Sequence, residues 1–358
     1  MGGVRLLNGL SDGLEKDRVD SFSKYSHVRS NLVVGTHGEG RPDVSIVIPT
    51  YNRPKMLGEA IDSALSQKAD RKFEVVVIDN CQDAAVCAEV DKMIRSYGDD
   101  RLVLYRNEEN IGMFGNWNRG IELAQGAWLT ILNDDDRLAD GWLETVMGIR
   151  SGNAFVGVDA EVIGDIPRAP MPYGIILVRK AWRKLSKIIR VRRLGKCDYL
   201  RGHPFYGSLG VLFEKRSLVD LGGYDEKYWP SSDYVLSYLY FRRSGGFLIN
   251  RVLAEYRWED NASRRPDVLA GFLRIGGFVR EDLLQKLRFP IVYNLGRWYS
   301  INRTKVDLCW FERRFSLGLE FVHNSVDYSN LKGCGGSGAL VTKKFFIKAL
   351  GLVLCLFL

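Results

Sequence analysis

Ala127-Trp128-Leu129-Thr130-Ile131-Leu132-Asn133-Asp134-Asp135-Asp136 joins a largely apolar run to three consecutive carboxylates. The run has the length and composition of a strand buried on both faces, as in a parallel sheet. Adjacent carboxylates repel one another and resist burial unless a cation neutralises them. Magnesium and manganese prefer oxygen ligands, and magnesium typically takes one or two carboxylates beside substrate phosphates. An isolated triple acid would read as a solvated turn. One fed by a buried strand predicts a site.

Working outward, Val44-Ser45-Ile46-Val47-Ile48 is a second apolar run, broken by Pro49-Thr50-Tyr51-Asn52-Arg53, and Pro54 suits the first turn of a helix. Leu57, Ala60, Ile61, Ala64 and Leu65 recur at helical spacing. Residues 73–78 form another strand and stop at Asp79-Asn80. Val86, Val90, Met93, Ile94 and Tyr97 mark a helix, residues 102–105 a strand, and Phe114, Trp117, Ile121 and Ala124 a further helix. Gly126 is the expected left-handed cap of that helix. Strand alternating with helix four times predicts an α/β fold with a doubly wound, mostly parallel, Rossmann-like sheet. Ligands of such sheets bind at the carboxyl ends of the strands, where Thr50-Tyr51-Asn52, Asp79-Asn80 and the acidic run all fall.

The 358 residues, 46% hydrophobic and 26% charged, suffice for a sizeable core. A net charge of +8 favours an anionic partner such as nucleotide phosphates or lipid headgroups. No nucleic-acid partner is expected, because no recognition motif accompanies the basic residues. The six cysteines, Cys81, Cys87, Cys197, Cys309, Cys334 and Cys355, form no CxxC pair. That pattern predicts neither a zinc site nor a disulfide framework, and suits a reducing cytosol. No signal-peptide core and no apolar stretch of roughly 20 residues is present. In residues 179–193, Trp182, Leu185, Ile188 and Ile189 share one helical face and cations cover the rest, the pattern of a helix on an anionic membrane surface. Residues 345–358, as a helix of about 21 Å, fall short of the roughly 30 Å hydrocarbon core and read as an interfacial anchor. The expected location is cytoplasmic, peripheral on the inner face of the cytoplasmic membrane.

Residues 44–53 and 75–80, with Asn110-Ile111-Gly112, Asn118-Arg119-Gly120-Ile121, residues 126–136, Gly222-Gly223-Tyr224-Asp225-Glu226 and Ser232-Asp233, resemble the family-2 glycosyltransferases of GT-A fold. The resemblance implies an inverting, metal-dependent enzyme of the bacterial surface-polysaccharide type. Such an enzyme moves one sugar from a nucleotide diphosphate-sugar to a hydroxyl of a glycan or lipid-linked glycan. It implies that Pro49, Thr50, Tyr51 and Arg53 line the nucleoside pocket and that Asp79 bonds the base or ribose. Asn118 and Asp134 would contact the nucleotide-sugar, and Asp135 would hold magnesium or manganese with Asp136 in support. Asn133 stands where the family often has an acid, and Cys81-Gln82-Asp83 replaces its Gly-Ser-Thr-Asp loop.

Inversion by direct displacement needs one general base. The resemblance assigns it to Asp233, where Ser232 replaces a glutamate; alone, Asp233 would read as a plain helix N-cap. His203 and Ser232 are the candidate acceptor-site residues. The implied division is a polar tail over 1–43, a nucleotide-sugar half over 44–150, an acceptor and base half over 151–263, and a helical C-terminal region with an apolar tail over 264–358. Gln285-Lys286-Leu287-Arg288-Phe289 nearly matches the Gln-x-x-Arg-Trp motif of processive synthases, but Phe replaces Trp and multiple membrane spans are absent. Two alternatives remain. A sugar nucleotidyltransferase needs a Gly-rich basic loop after the first strand, which Pro49-Thr50-Tyr51-Asn52-Arg53 is not. A catalytically silent membrane-surface binding protein rests on Asn133 and Ser232 alone.

Overall fold

Strand β2, Val44–Thr50, and strand β3, Phe73–Asp79, are buried at every residue, so both their faces are covered by helices. They lie at the centre of a computed structural model that describes residues 19–36, 40–164, 190–258, 265–285 and 290–315. Strand β1 is Ser30–Val34, β4 Leu102–Asn107 and β5 Trp128–Ile131. Helices α1 (Pro54–Leu65), α2 (Ala84–Tyr97) and α3 (Gly112–Leu123) alternate with them. Beyond β5 come β6 (Arg137–Leu138), α4 (Trp142–Ile149), β7 (Phe155–Ile163), β8 (Val191–Arg193), α5 (Lys196–Arg201), β9 (Phe213–Glu214) and α6 (Lys215–Asp220). Helix α7 (Ser232–Ser244), β10 (Gly246–Arg257), α8 (Pro266–Leu284) and α9 (Pro290–Phe315) complete the order.

The main sheet runs β1-β4-β3-β2-β5-β9, parallel from β4 through β5, with β1 and β9 antiparallel at its edges. The chain steps outward from β2 through β3 to β4, then returns to the other side of β2 as β5. That reversal puts the crevice of a doubly wound sheet between the ends of β2 and β5. A second sheet, β6-β10-β7 with β8 against β10, packs beside it, and its longest pairing, β7 with β10, is parallel.

Four expectations change. Order starts before Val44: Ser30–Val34 pairs with β4, and its mixed pattern of exposure is that of an edge strand rather than of a buried one. Gly126 is not a left-handed cap, because α3 ends at Leu123 and the positive-φ glycines do not include Gly126. It is small for another reason: a Cβ there would stand 2.6 Å from the backbone nitrogen of Ser45. The basic stretch at 179–193 lies outside the described residues as far as 189, and its end is strand rather than helix, since Val191–Arg193 pairs with β10. There the chain adds an edge strand to β10, and Arg192 turns its guanidinium to Asp198, 2.8 Å away. Finally, Cys197 is disulfide-bonded, whereas Cys81 and Cys87 are free; pairing follows distance in space, which sequence spacing does not report. The apolar tail at 345–358 lies outside the described residues. Among those described, no helix is long and apolar enough to cross a membrane.

Candidate active site

At the switch point the ends of β2 and β5 are joined directly. The Thr50 hydroxyl donates to Asp134 Oδ2 at 2.7 Å. Arg53 follows through a tight turn in which Asn52 takes φ 56°, a left-handed conformation that asparagine tolerates better than most residues. Its guanidinium reaches Asp135 Oδ2 at 2.9 Å and Asp134 Oδ1 at 3.4 Å. Burial, and then the neighbouring Asp135 charge, push the Asp134 carboxyl up to about 6.

The three aspartates are therefore not interchangeable. Asp136 accepts from the backbone N–H of Arg257 at 2.9 Å through Oδ1 and from Asn133 Nδ2 at 3.0 Å through Oδ2. It fastens the acidic loop to the end of β10, and burial, then Asp135, raise its pKa to about 8. Asn133 thus supplies a neutral donor to this buried carboxyl, where a second acid would add a like charge. Asp134 has both oxygens engaged. Asp135 alone keeps one oxygen, Oδ1, without a hydrogen bond among the described residues.

These residues face a cleft of about 850 Å³. Pro49, Thr50, Tyr51, Arg53, Asn133, Asp134 and Asp135 line one side of it, and His203, Asp233 and Tyr234 line it as well. Asp233 sits in the first turn of α7, where the backbone N–H groups of Asp233 and Tyr234 favour its charge. Burial outweighs them and lifts its pKa to about 6. His203 Nδ1 is 3.9 Å away from Asp233 Oδ2, and burial pushes that imidazole down to about 3, which leaves it neutral.

Three expected site residues stand elsewhere. Asp79 is fully buried and gives both oxygens to the chain: Cys81 N at 2.8 Å and Arg106 Nε at 3.0 Å. Its neighbour Asn80 lines the cleft instead. Asn118 does not face the cleft either. Its amide donates to the Tyr224 carbonyl at 2.9 Å and accepts from the Tyr224 N–H at 2.8 Å, clasping the Gly222-Gly223-Tyr224 turn to α3. Gly223, at φ 73°, allows this, since a Cβ there would stand 2.5 Å from Asn118 Oδ1. Ser232 points into a separate small cavity with Val19, Leu221 and Tyr228, and Ser231 faces the cleft in its place.

The sequence reading missed two features. Asn80, Asn107 and Asn116 form a buried amide network, with Asn107 Nδ2 at 2.7 Å from Asn80 Oδ1 and 2.9 Å from Asn116 Oδ1. Asn116 Nδ2 closes it onto the Ile78 carbonyl at 2.9 Å, tying the ends of β3 and β4 to α3. Asn80 follows β3, Asn107 ends β4 and Asn116 lies within α3, and asparagines so dispersed carry no periodic signal. The second feature is an aromatic wall. Tyr206 stacks on Tyr256 with centroids 5.4 Å apart, Trp258 follows at 6.1 Å, and all three line the cleft.

Among the described residues no group of three or more His, Cys, Asp or Glu side chains forms a metal cage. The donor set offered to a cation is one free carboxylate oxygen, on Asp135, in a cleft wide enough for a phosphorylated ligand. That suits a hard divalent cation sharing its coordination with phosphates rather than one held by protein alone.

The profile described as Glycosyl transferase family 2 matches residues 45–192. The chain is 27% identical over 223 residues to GalNAc(5)-diNAcBac-PP-undecaprenol beta-1,3-glucosyltransferase of Campylobacter jejuni, an alignment covering 60% of this chain and 65% of that protein. It therefore spans slightly less than two thirds of that relative's length. S. aureus TarS 1–349 in complex with UDP-GlcNAc has the same fold, with a TM-score of 0.55 and 13% identity over 86% of this chain and 83% of that one. So has the mannosyltransferase PcManGT of Pyrobaculum calidifontis in complex with GDP-Man and Mn2+, at 0.52 and 15% over 88% and 86%. The family match runs from β2 past the acidic loop, so residues 45–192 are similar to the family-2 glycosyltransferases, and the fold around them is that of the GT-A structures.

Proposed function

We propose that the chain transfers a single sugar, with inversion, from a nucleotide diphosphate-sugar to a hydroxyl of a glycan carried on a lipid. One observation carries the reading: Asp134 and Asp135 share a cleft with Asp233, so a donor on the sheet edge has a carboxylate base within the same enclosure.

The nucleoside lies against Pro49, Thr50, Tyr51, Arg53 and Asn80, with Asp134 turned to the nucleotide-sugar. Asp135 would hold magnesium or manganese, which would offset charge on the departing diphosphate. Asp233 takes the proton of the acceptor hydroxyl as its oxygen bonds to the anomeric carbon. The bond from that carbon to the phosphate oxygen breaks, and the nucleoside diphosphate leaves with the electron pair. A neutral His203 beside Asp233 neither competes for the proton nor repels the acceptor. The wall of Tyr206, Tyr256 and Trp258 offers flat apolar faces of the kind that stack on sugar rings, which supports a glycan acceptor. A lipid carrier is supported by the undecaprenol-linked substrate in the Campylobacter relative's name and by the basic residues at 179–190 and the apolar run at 345–358. The same support favours a peripheral place on a membrane surface.

Thermal denaturation with a panel of nucleoside diphosphates, each with and without manganese, tests the proposal. One nucleotide should raise the melting temperature only with metal, the stabilisation reaching about 2.7 kcal/mol at a hundredfold excess over Kd. Absence of any nucleotide effect under both conditions would sink it.

A further inference from the structure

The cleft extends beyond Asp233 and Tyr234 to helices α8 and α9, where Gly276, Arg280, Arg303 and Asp307 line it. Arg280 is 4% exposed, and its hydrogen bonds go to two hydroxyls, Ser300 Oγ at 3.1 Å and Thr304 Oγ1 at 2.8 Å. No carboxylate pairs with it among the described residues. The nearby acid, Asp307, is held by Arg303 at 2.7 Å. Two guanidiniums thus meet one carboxylate at this end of the cleft. Arginine cannot shed its charge in a protein, and a buried guanidinium bonded only to neutral groups is costly unless an anion completes the site. A Cβ at position 276 would stand 3.3 Å from Arg280 Nη1, so the glycine lets the guanidinium lie close against α8. Burial depresses the Arg280 basicity, with Tyr234 and Asp307 acting in the opposite direction. That influence ties the cation to Tyr234, the residue next to Asp233 in the chain.

We propose that Arg280 and Arg303 form an anion subsite that takes the phosphate or diphosphate of the acceptor, with the acceptor sugar lying between it and Asp233. The proposal rests on the transferase reading for the identity of the ligand, but the subsite itself does not depend on the donor residues. The forked, planar donors of arginine suit phosphate oxygens. A phosphate bound here would be distinct from the donor diphosphate beside Asp135, and the enzyme would recognise a glycan by its phosphorylated reducing end.

The test uses the full chain in EDTA, titrated calorimetrically with inorganic pyrophosphate and, separately, with farnesyl diphosphate. Pyrophosphate should bind, and Arg280→Gln and Arg303→Gln should each weaken binding about tenfold or more. Asp307→Asn removes the competing carboxylate and should tighten binding, which damage to the fold would not do. Asp135→Asn should leave it unchanged. Tighter binding of farnesyl diphosphate marks a lipid-borne phosphate, and equal binding a phosphate recognised alone; both support the subsite. No binding of pyrophosphate, or binding that Arg280→Gln and Arg303→Gln leave intact, overturns it, as does loss of binding in Asp135→Asn. The manganese-dependent nucleotide shift reports the transferase reading separately, so the two proposals fail independently.

Discussion

His203 Nδ1 stands 3.9 Å from Asp233 Oδ2 with both groups driven toward their uncharged forms, the imidazole down to about 3 and the carboxyl up to about 6. Burial is the leading cause for each. At neutral pH the result is a carboxylate beside a neutral ring rather than an ion pair. A base that must be ionised to accept a proton acts only above its pKa. The rate should therefore rise with pH through a midpoint near 6, the value burial gives Asp233. The kcat/KM profile for the acceptor at saturating donor measures this. Replacing His203 with Gln should leave the midpoint in place, since the ring carries no charge there. A midpoint near 4 would show that Asp233 is not the group being titrated.

Asp233→Asn separates catalysis from binding and stability. Turnover should fall about 10²–10⁴-fold, as expected for a lost general base, while nucleotide with manganese still stabilises the protein. The stability change has the opposite sign. A carboxyl whose folded pKa is raised contributes stability while protonated, and loses it as pH climbs from its unfolded value near 4 through about 6. At pH 8 the charged form is the burdened one, and an uncharged amide should stabilise the fold by on the order of 2 kcal/mol. Equal melting temperatures for the two proteins at pH 8 would contradict the burial argument.

The acidic run predicts two different phenotypes one residue apart. Asp135→Ala should abolish the manganese-dependent shift and leave the fold unchanged, because its carboxylate holds only the partly exposed Arg53. Asp136→Ala should instead cost about 1–3 kcal/mol of stability, since the Arg257 N–H and the Asn133 amide lose their acceptor. Chemical denaturation of both variants distinguishes them, and a destabilised Asp135→Ala protein would reverse the assignment.

Asn118→Leu tests the clasp on Tyr224. It keeps the side chain's bulk but leaves both the N–H and the carbonyl of a buried residue without partners, which should destabilise by about 2–4 kcal/mol. Tyr224 also bonds Ser208 through its hydroxyl at 2.8 Å and lies near Asp233, so kcat should fall while the nucleotide shift persists. An unfolding midpoint equal to that of the parent would show the clasp to be dispensable.

How much of this was legible from sequence follows the physics of each signal. The parallel strands declared themselves because burial on both faces requires continuous apolar runs, as in Val44–Thr50 and Phe73–Asp79. The edge strand Ser30–Val34 did not, since half-exposed residues leave no such run. Thr50, Asp134 and Asp135 lie on one edge of the sheet because strand order alone puts them there. Asp79, Asn118 and Ser232 do not line the cleft, because which way a side chain turns at a strand or helix end depends on partners distant in sequence. Arg106 takes Asp79, and Tyr224 takes Asn118. The Arg280 pocket was invisible for the same reason: its partners Ser300 and Thr304 belong to another helix.

The aromatic wall yields the remaining prediction. Tyr206 is 41% exposed and stacks on Tyr256, so its ring presents one face to its neighbour and leaves the other accessible. A sugar ring laid on that accessible face would bury apolar surface on both partners. Tyr206→Ala should therefore raise the acceptor KM about three- to tenfold, the range of one lost stacking contact of about 1 kcal/mol, with the donor KM unchanged. Tyr206→Phe should retain parent behaviour, because stacking needs the ring and not the hydroxyl. If instead the alanine variant raises the donor KM, the wall belongs to the donor side of the cleft, and the acceptor must enter between Asp233 and the C-terminal helices.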